Sequence, residues 1–138
     1  MNFENFSLAA KSFIMNDNKL LIIKRSDDNV QKPGIWEVPG GRLGLEENHI
    51  EGLKREIKEE TGLNIEVVRP LTLRKFTRDD NQRIELTNFL CKLSNPLDKN
   101  IKLSQEHTNS EWIGLDDVKN KITSFFYKEI DLIKNLEI

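Results

Sequence analysis

The segment at residues 41–63 constrains this chain more than any other part of it. Glu56, Glu59 and Glu60 stand at positions i, i+3 and i+4, and this spacing places side chains on one face of a helix. Like charges at this spacing repel one another by a few tenths of a kcal/mol per exposed pair. A hard divalent cation removes the repulsion, because Mg²⁺ binds carboxylate oxygens and is usually shared with substrate phosphates. The spacing therefore predicts a helix whose carboxylate face binds a metal ion.

The three glutamates belong to a longer pattern of fixed spacing. The pattern is glycine, five residues, glutamate, seven residues, and then Arg-Glu-aliphatic-x-Glu-Glu-x-Gly-aliphatic. Its members are Gly41, Glu47, Arg55, Glu56, Ile57, Glu59, Glu60, Gly62 and Leu63. The pattern resembles a complete Nudix box, the signature of the Nudix hydrolases. Residues 34–41, residues 104–107 and the later pair Trp112-Ile113 also resemble segments of MutT-type members, so the likeness extends over most of the chain.

The fold and the domain organisation follow from two sources. The order of predicted elements, strands, a helix, further strands and another helix, by itself indicates an α+β or a mixed α/β protein. The resemblance implies an α/β Nudix fold, which is a mixed β-sheet sandwiched between α-helices. A chain of 138 residues has the size of one ordinary domain. We therefore expect a single Nudix hydrolase domain over residues 1–138.

Apolar patterns and turn signals predict the individual elements. The predicted strands and extended pieces lie at residues 6–15, 19–24, 36–38, 65–68, 71–76, 84–93 and 111–113. The first two should form a hairpin, and Pro70 should separate the strands at 65–68 and 71–76. Three glycines predict a loop at 40–45, and residues 46–61 predict a helix that ends before Gly62.

The two predicted helices should bury apolar stripes. Ile50, Leu53 and Ile57 share one face of the first helix, and Gly52 within it should cost about 1 kcal/mol of helix stability. A helical turn is predicted at 115–118, with Asp116 as its cap. The apolar stripe of the C-terminal helix consists of Ile130, Ile133 and Leu136.

The resemblance implies a set of metal ligands. In the family the last two glutamates of the Arg-Glu-x-x-Glu-Glu run are principal ligands, and these are Glu59 and Glu60. Glu56 is implied to be either a further ligand or the base that orients the attacking water. A backbone carbonyl in the turn at Gly40 and Gly41 is a family ligand as well, and glycine permits such a close approach of the backbone. The implied ion is Mg²⁺, with Mn²⁺ as a substitute.

Further catalytic candidates lie beside and beyond these ligands. Arg55 stands four residues before Glu59 and could form only a surface ion pair of little energy, but the resemblance implies that it orients the ligands together with Glu47. A glutamate before a later strand completes the metal site or accepts the proton in MutT-type members, and Glu106 matches it. A solvated loop glutamate is the alternative for Glu106. His107 is as consistent with a structural role as with that of a base.

Substrate-binding candidates are Arg25, Trp36 and Glu37. Arg25 ends the second predicted strand, where the resemblance implies a phosphate-binding arginine, and a guanidinium suits phosphate oxygens. A surface charge without a ligand is the alternative for Arg25. Trp36 could stack on a base or belong to the core, and Glu37 lies in the stretch that leads to the box. The aromatic residues that suit the core better than a base pocket are Phe76, Phe125 and Phe126.

The resemblance implies hydrolysis of a nucleoside diphosphate linked to another group. Some members that cleave ADP-ribose carry a proline shortly after the box, and some that cleave dinucleoside polyphosphates carry a tyrosine there, whereas this chain has Thr77-Arg78-Asp79-Asp80. This favours a nucleoside triphosphate, including an oxidised or damaged one, cleaved to monophosphate and pyrophosphate. ADP-ribose, a nucleotide sugar and an RNA 5′ end remain alternatives. A non-catalytic sensor is disfavoured because every box carboxylate is present.

Charge and composition exclude several other classes. The net charge of −2 gives no general attraction to nucleic acid or to an anionic membrane. No apolar run approaches the ~20 residues of a membrane span, and the first residues lack the features of a signal peptide. We expect a cytoplasmic monomer or homodimer that acts on a small nucleotide. The one cysteine, Cys91, is expected to be buried and inert.

Overall fold

A mixed seven-stranded sheet forms the centre of the protein in the computed structural model, which describes residues 6–136. The strands are β1 (Phe6–Asn16), β2 (Lys19–Arg25), β3 (Trp36–Glu37), β4 (Gly40–Arg42), β5 (Ile65–Thr77), β6 (Arg83–Leu93) and β7 (His107–Gly114). The helices are α1 (His49–Thr61) and α2 (Tyr127–Lys134), with 3₁₀ turns at Val118–Asn120 and Ser124–Phe126. None of the helices in the described part of the chain has the length and apolar character needed to cross a membrane.

Strand β1 organises the sheet. It pairs in parallel with β6 and in antiparallel fashion with β2 and with β4, while β5 extends the sheet beyond β6 and β7 pairs with β2. The predicted hairpin between β1 and β2 is confirmed, because Met15 lies opposite Leu20 across a turn in which Asp17 and Asn18 both have positive φ. The register of β4 places Gly40 opposite Lys11, and this pairing matters for the site below.

Apolar side chains project from both faces of the sheet. In β2, Leu21 and Ile23 pack with α1, whereas Leu20 and Ile22 pack with α2. Successive side chains of a strand point to opposite faces, so a continuous apolar strand has helices on both sides. The predicted mixed sheet between helices is therefore confirmed.

Helix α1 differs from its prediction at its start. It begins at His49 and not at residue 46, because Asn48 is the N-cap and its side-chain oxygen accepts the N–H of Glu51 at 2.8 Å. The C-terminal prediction is confirmed, since Gly62 adopts the left-handed conformation with φ 77°. Leu53 and Ile57 are fully buried, but Ile50 is 42% exposed and does not belong to the core face.

Gly52 has a packing role that its helix propensity alone does not show. A Cβ at this position would lie 2.6 Å from Cδ2 of Leu43 and 3.3 Å from Oε1 of Glu47. The missing side chain lets the segment before α1 pack closely against the helix, and this segment carries Glu47. The residues predicted as a loop at 40–45 include strand β4, which forms because its backbone pairs with β1.

Several boundaries near the end of the sheet also differ from the predictions. Strand β5 is continuous through Pro70, where shifts in register with β6 accommodate a residue that has no N–H. Strand β7 begins at His107, earlier than predicted. Asp117, without a side-chain cap, precedes the first 3₁₀ turn, so the predicted cap at Asp116 is wrong. Cys91 is buried as predicted, and burial raises the pKa of its thiol to about 11.

Candidate active site

One cavity of about 510 Å³ opens between β1, β4, α1 and the end of β5. Its lining has two chemically different parts. The charged part contains Lys11, Arg25 and Glu37, together with the carboxylate cluster, which consists of Glu56, Glu60 and Glu106. The other part, called the aromatic wall, contains Phe76, Phe125 and Phe126. Ala9, Ile84 and Leu86 complete the apolar lining beside the wall.

Glu60 is the most buried carboxylate of the predicted metal site. It lies in the last turn of α1 with 6% of its surface exposed, and its Oε1 accepts the N–H of Gly40 at 2.8 Å. Burial raises the pKa of Glu60 to about 8, although Lys11 and the Gly40 N–H oppose this effect. Gly40 is required here, because a Cβ would lie 2.3 Å from the carbonyl oxygen of Ala10 and φ is +140°.

Glu56 lies one helical turn earlier and faces the same cavity. A Cβ on Gly41 would come within 2.9 Å of its Oε2, so this glycine lets the carboxylate approach the β4 backbone. Burial raises the pKa of Glu56, Arg55 opposes the shift, and the nearby charges of Glu59 and Glu106 add to it. The acidic groups are thus close enough to disfavour their joint ionisation.

Arg55 connects the box glutamates as the sequence predicts. Its Nε and Nη2 donate to the two oxygens of Glu47 at 2.6 and 2.8 Å, and its Nη1 donates to Glu59 at 3.0 Å and to Glu56 at 3.3 Å. Glu47 also accepts the N–H of Gly44. The Arg55 hydrogen bonds and this N–H lower the pKa of Glu47 to about 2. The pairs are partly exposed and contribute little stability, but they fix the directions of the side chains.

The predicted ligands differ in exposure. Glu59 has 60% of its side chain exposed and is not among the described residues that line the cavity. Glu106 does line it, and its backbone carbonyl is held by the N–H of Ser26 and by the amide of Asn29. Candidate ligand atoms of Glu60, Glu106 and His107 lie within 4.8 Å of one another. The structure therefore brings Glu106, from outside the box, to the box carboxylates.

This donor set fits a hard divalent cation. Carboxylate oxygens from α1 and from the loop before β7 come close to one another, and oxygen is the ligand that Mg²⁺ prefers. The raised pKa values of Glu56 and Glu60 reflect burial and like charges. A cation at this place would stabilise the ionised carboxylates.

Glu37 anchors a second cluster of charges beside the first. It is buried, and its oxygens accept hydrogen bonds from Lys11 Nζ at 3.0 Å and Arg25 Nη1 at 3.2 Å, while His107 Nε2 lies 2.8 Å away. Burial by itself would raise the pKa of Glu37, but Lys11, the His107 hydrogen bond and Arg25 together lower it to about 2. The cluster places two cations, Lys11 and Arg25, in the lining of the cavity.

Lys11 was not among the residues predicted from the sequence. It lies within an apolar strand, between Ala10 and Ser12, and its Nζ also donates to the carbonyl of Val38 at 3.0 Å. A lysine inside a strand that is otherwise apolar is the signal that could have identified it, since lysine is almost never fully buried without a partner.

The aromatic predictions have mixed outcomes. Trp36 packs against the α2 side of the core, with Lys121 Nζ 4.5 Å from its ring centroid, and it is not among the described lining residues. Its predicted contact with a base therefore gains no support from its position. The three phenylalanines assigned to the core pack there and also form the aromatic wall, with Phe125 in edge contact with Phe76 at 5.3 Å and with Phe126 at 5.0 Å.

A family model for the NUDIX domain matches residues 6–133. The chain belongs to the Nudix family. Over 113 residues it is 33% identical to a MutT-like protein of Streptomyces ambofaciens, with 82% of this chain and 66% of that protein covered. Over 115 residues it is 30% identical to the nucleoside triphosphatase NudI of Escherichia coli K12, with 76% of this chain and 79% of that protein covered. These matches confirm the predicted family, that of MutT-like Nudix hydrolases.

The Nudix fold is also shared with a solved structure. The MutT protein of Methanosarcina mazei Go1 superimposes with a TM-score of 0.81, at 21% identity, covering 97% of this chain and 96% of that one. At this identity the likeness supports the fold alone. The roles of the individual site residues remain predictions from the box and from the geometry described above.

Proposed function

We propose that this protein hydrolyses a nucleoside triphosphate to nucleoside monophosphate and pyrophosphate in a reaction that requires Mg²⁺. The observation that carries the proposal is that one cavity contains both the carboxylate cluster and the aromatic wall. Its volume of about 510 Å³ falls within the range of roughly 300–1,000 Å³ that is usual for small-molecule sites. A polyphosphate fits the charged part, and a base fits the aromatic part.

The residues that would hold Mg²⁺ are Glu56, Glu60 and Glu106, with Glu59 and the Gly40 carbonyl as the further predicted ligands. When bound, the ion neutralises phosphate charge and makes a water molecule more acidic. Arg55 keeps Glu47, Glu56 and Glu59 in their orientations through its four hydrogen bonds to them.

The protein's own cations would bind the phosphates. Lys11 and Arg25 line the charged part and are held in place by Glu37, which lies behind them. A polyanion next to several carboxylates needs such compensation. The proton of the attacking water goes to a carboxylate, either Glu56 or Glu106.

Two broader proposals accompany this one. The span of the family match, residues 6–133, supports a single Nudix domain over the whole chain. The net charge of −2 supports a small-molecule substrate and no nucleic-acid partner. We further propose a cytoplasmic monomer or homodimer.

A substrate panel tests the proposal. The purified protein is incubated with Mg²⁺ and nucleoside triphosphates, oxidised nucleotides, ADP-ribose and nucleotide sugars, and the products are identified by chromatography. We expect monophosphate and pyrophosphate from a triphosphate, no reaction in excess chelator, and recovery with Mg²⁺ or Mn²⁺. Hydrolysis in ¹⁸O-labelled water identifies the attacked phosphorus. Orthophosphate as the first product would reject the assigned bond, and faster cleavage of ADP-ribose or a nucleotide sugar would reject the triphosphate.

A further inference from the structure

A buried carboxylate lies outside the carboxylate cluster, on helix α2. Glu129 is completely buried. Its oxygens accept hydrogen bonds from Arg74 Nε at 2.9 Å, Arg74 Nη2 at 2.6 Å and Thr72 Oγ1 at 2.7 Å, with Asn88 Nδ2 at 3.5 Å. The hydrolytic mechanism uses none of these groups. Neither Glu129 nor Arg74 is among the described residues that line the cavity.

Arg74 connects this carboxylate to the aromatic wall. The guanidinium carbon of Arg74 lies 4.7 Å from the ring centroid of Phe125, within the range of a cation–π contact. Phe125 lines the cavity, where the flexible side chain of Lys32 places its Nζ 5.5 Å from the ring centroid, and it makes edge contacts with the rings of Phe76 and Phe126. One guanidinium therefore binds a buried carboxylate in bidentate fashion and stacks on a ring that faces the cavity.

Stability alone gives a weak reason for such a pair. A buried ion pair is often no more stabilising than apolar residues of similar volume, because desolvation of both charges offsets their attraction. A guanidinium is planar and holds its partners in a defined geometry, whereas a lysine ammonium can neither form the fork nor stack in the same way. The arrangement is therefore suited to fixing the plane of the Phe125 ring.

We propose that Glu129, acting through Arg74, positions Phe125 as the stacking surface for the nucleobase. The pair then determines how tightly the base is held and leaves the cleavage of the polyphosphate unchanged. This inference rests on the proposed function, since it assumes a nucleotide in the cavity. Arg74 and Glu129 are positioning residues, and Phe125 is the residue that contacts the base.

The test compares a substrate that has a base with one that lacks it. Steady-state kinetics are measured for a purine nucleoside triphosphate and for ribose 5-triphosphate, with Arg74→Lys and Glu129→Gln. We expect each variant to raise KM for the nucleotide about tenfold, as loss of an ordered aromatic contact implies, with kcat within about twofold. KM for ribose 5-triphosphate should not change. An equal rise for both substrates would overturn the proposal, because a merely structural defect acts on both.

Matched variants keep the test decisive. Lys119→Arg and Asp131→Asn alter the exposed ion pair between the first 3₁₀ turn and α2 and should leave both KM values unchanged. Phe125→Leu should reproduce the loss that is specific to the base, even if the Glu129 variant does not fold. A base-specific loss in Phe125→Leu that is absent in a folded Arg74→Lys protein would overturn the positioning role.

The outcome can be separated from that of the proposed function. If the wild-type protein cleaves no triphosphate, the proposed function fails, and the same comparison is made by calorimetric titration with the nucleotide and with ribose 5-triphosphate. A base-specific loss of affinity in Arg74→Lys would then support the positioning role on its own. Equal affinities of the wild-type protein for the two ligands would overturn it.

Discussion

Two buried glutamates anchor the two parts of the cavity, and their surroundings differ. Glu37 lies between Lys11, Arg25 and His107 and keeps two cations beside the carboxylate cluster. Glu129 binds one cation, Arg74, which stacks on the aromatic wall. In the first case the two cations bound to the glutamate, Lys11 and Arg25, themselves line the cavity. In the second case the partner acts through a ring that lies between it and the cavity.

The comparison indicates a division of labour within one site. The charged part concentrates groups that respond to phosphate and metal charge, and these interactions strengthen as charge develops in a transition state. The aromatic part contributes contact area and orients the base. These interactions stabilise the bound substrate and the transition state equally. Changes at the carboxylates should therefore reduce kcat, whereas changes at the wall should raise KM.

The largest effect is expected at the box carboxylates. Glu60→Gln and Glu59→Gln each remove a charged predicted ligand and keep its shape, so turnover should fall by a factor of about several hundred or more. The metal-free Glu60→Gln protein should melt at an equal or higher temperature, because the amide carries no charge that burial would penalise. Turnover and thermal unfolding are measured in parallel. Near wild-type turnover in both variants would contradict the proposed metal site.

Glu106→Gln probes the carboxylate that lies outside the box. If Glu106 is a ligand or the base, kcat should fall about thirtyfold or more while KM changes little, because the interaction matters mainly in the transition state. Kinetics at saturating and limiting substrate separate the two constants. Activity within about twofold of wild type would remove Glu106 from the catalytic set and leave Glu56 as the base.

Lys11 lies where the two parts of the cavity meet, since its Nζ contacts Glu37 and is 5.9 Å from the Phe126 ring centroid. The variant Lys11→Met tests its role. We expect KM to rise about fivefold for a triphosphate and for ribose 5-triphosphate alike, because a phosphate contact is lost. Lys24→Met, on the neighbouring strand and not among the described lining residues, is the control. A rise confined to the nucleotide would instead assign Lys11 to the aromatic part.

The last prediction concerns unfolding at acidic pH. The folded-state pKa of Glu37 is lowered from 4.5 to about 2, so its stabilisation is present above pH 4.5 and is lost as the pH falls through about 2. The shift corresponds to at most about 3 kcal/mol. Urea unfolding of wild type and Glu37→Gln between pH 5 and pH 2 measures it. The free energy of unfolding should depend less on pH in the variant than in the wild type. Parallel pH dependences of the two proteins would contradict this role of Glu37.

Local sequence was sufficient to identify the groups that share one helix. The i, i+3, i+4 spacing of Glu56, Glu59 and Glu60 and the position of Arg55 are properties of consecutive turns, and their hydrogen bonds join residues close in the chain. The C-terminal glycine of α1 was predictable for the same reason. The start of α1 was predicted too early. Glu46 and Glu47 also suit the first turn of a helix, whereas the N-cap is Asn48.

Contacts between distant residues explain most of what the predictions missed. Lys11 faces Glu37 because β3 pairs with β2 while β4 pairs with β1, and Gly40 reaches Glu60 because α1 packs beside β4. The three phenylalanines were assigned to the core because a residue buried in the core and a residue that lines an apolar cavity wall look the same in the sequence. Glu129 and Arg74 are separated by 55 residues and have no local signal.

The sequence by itself determined the residues of the box, which depend on residue types at fixed short spacings, and the resemblance that they carry implied the family and the mixed α/β fold. Only the tertiary structure decided which of the box carboxylates face the cavity, which cations stand beside them and what forms the opposite wall. The physical reason is that a strand or helix pattern specifies which face of an element is apolar, whereas strand register and packing decide what that face meets.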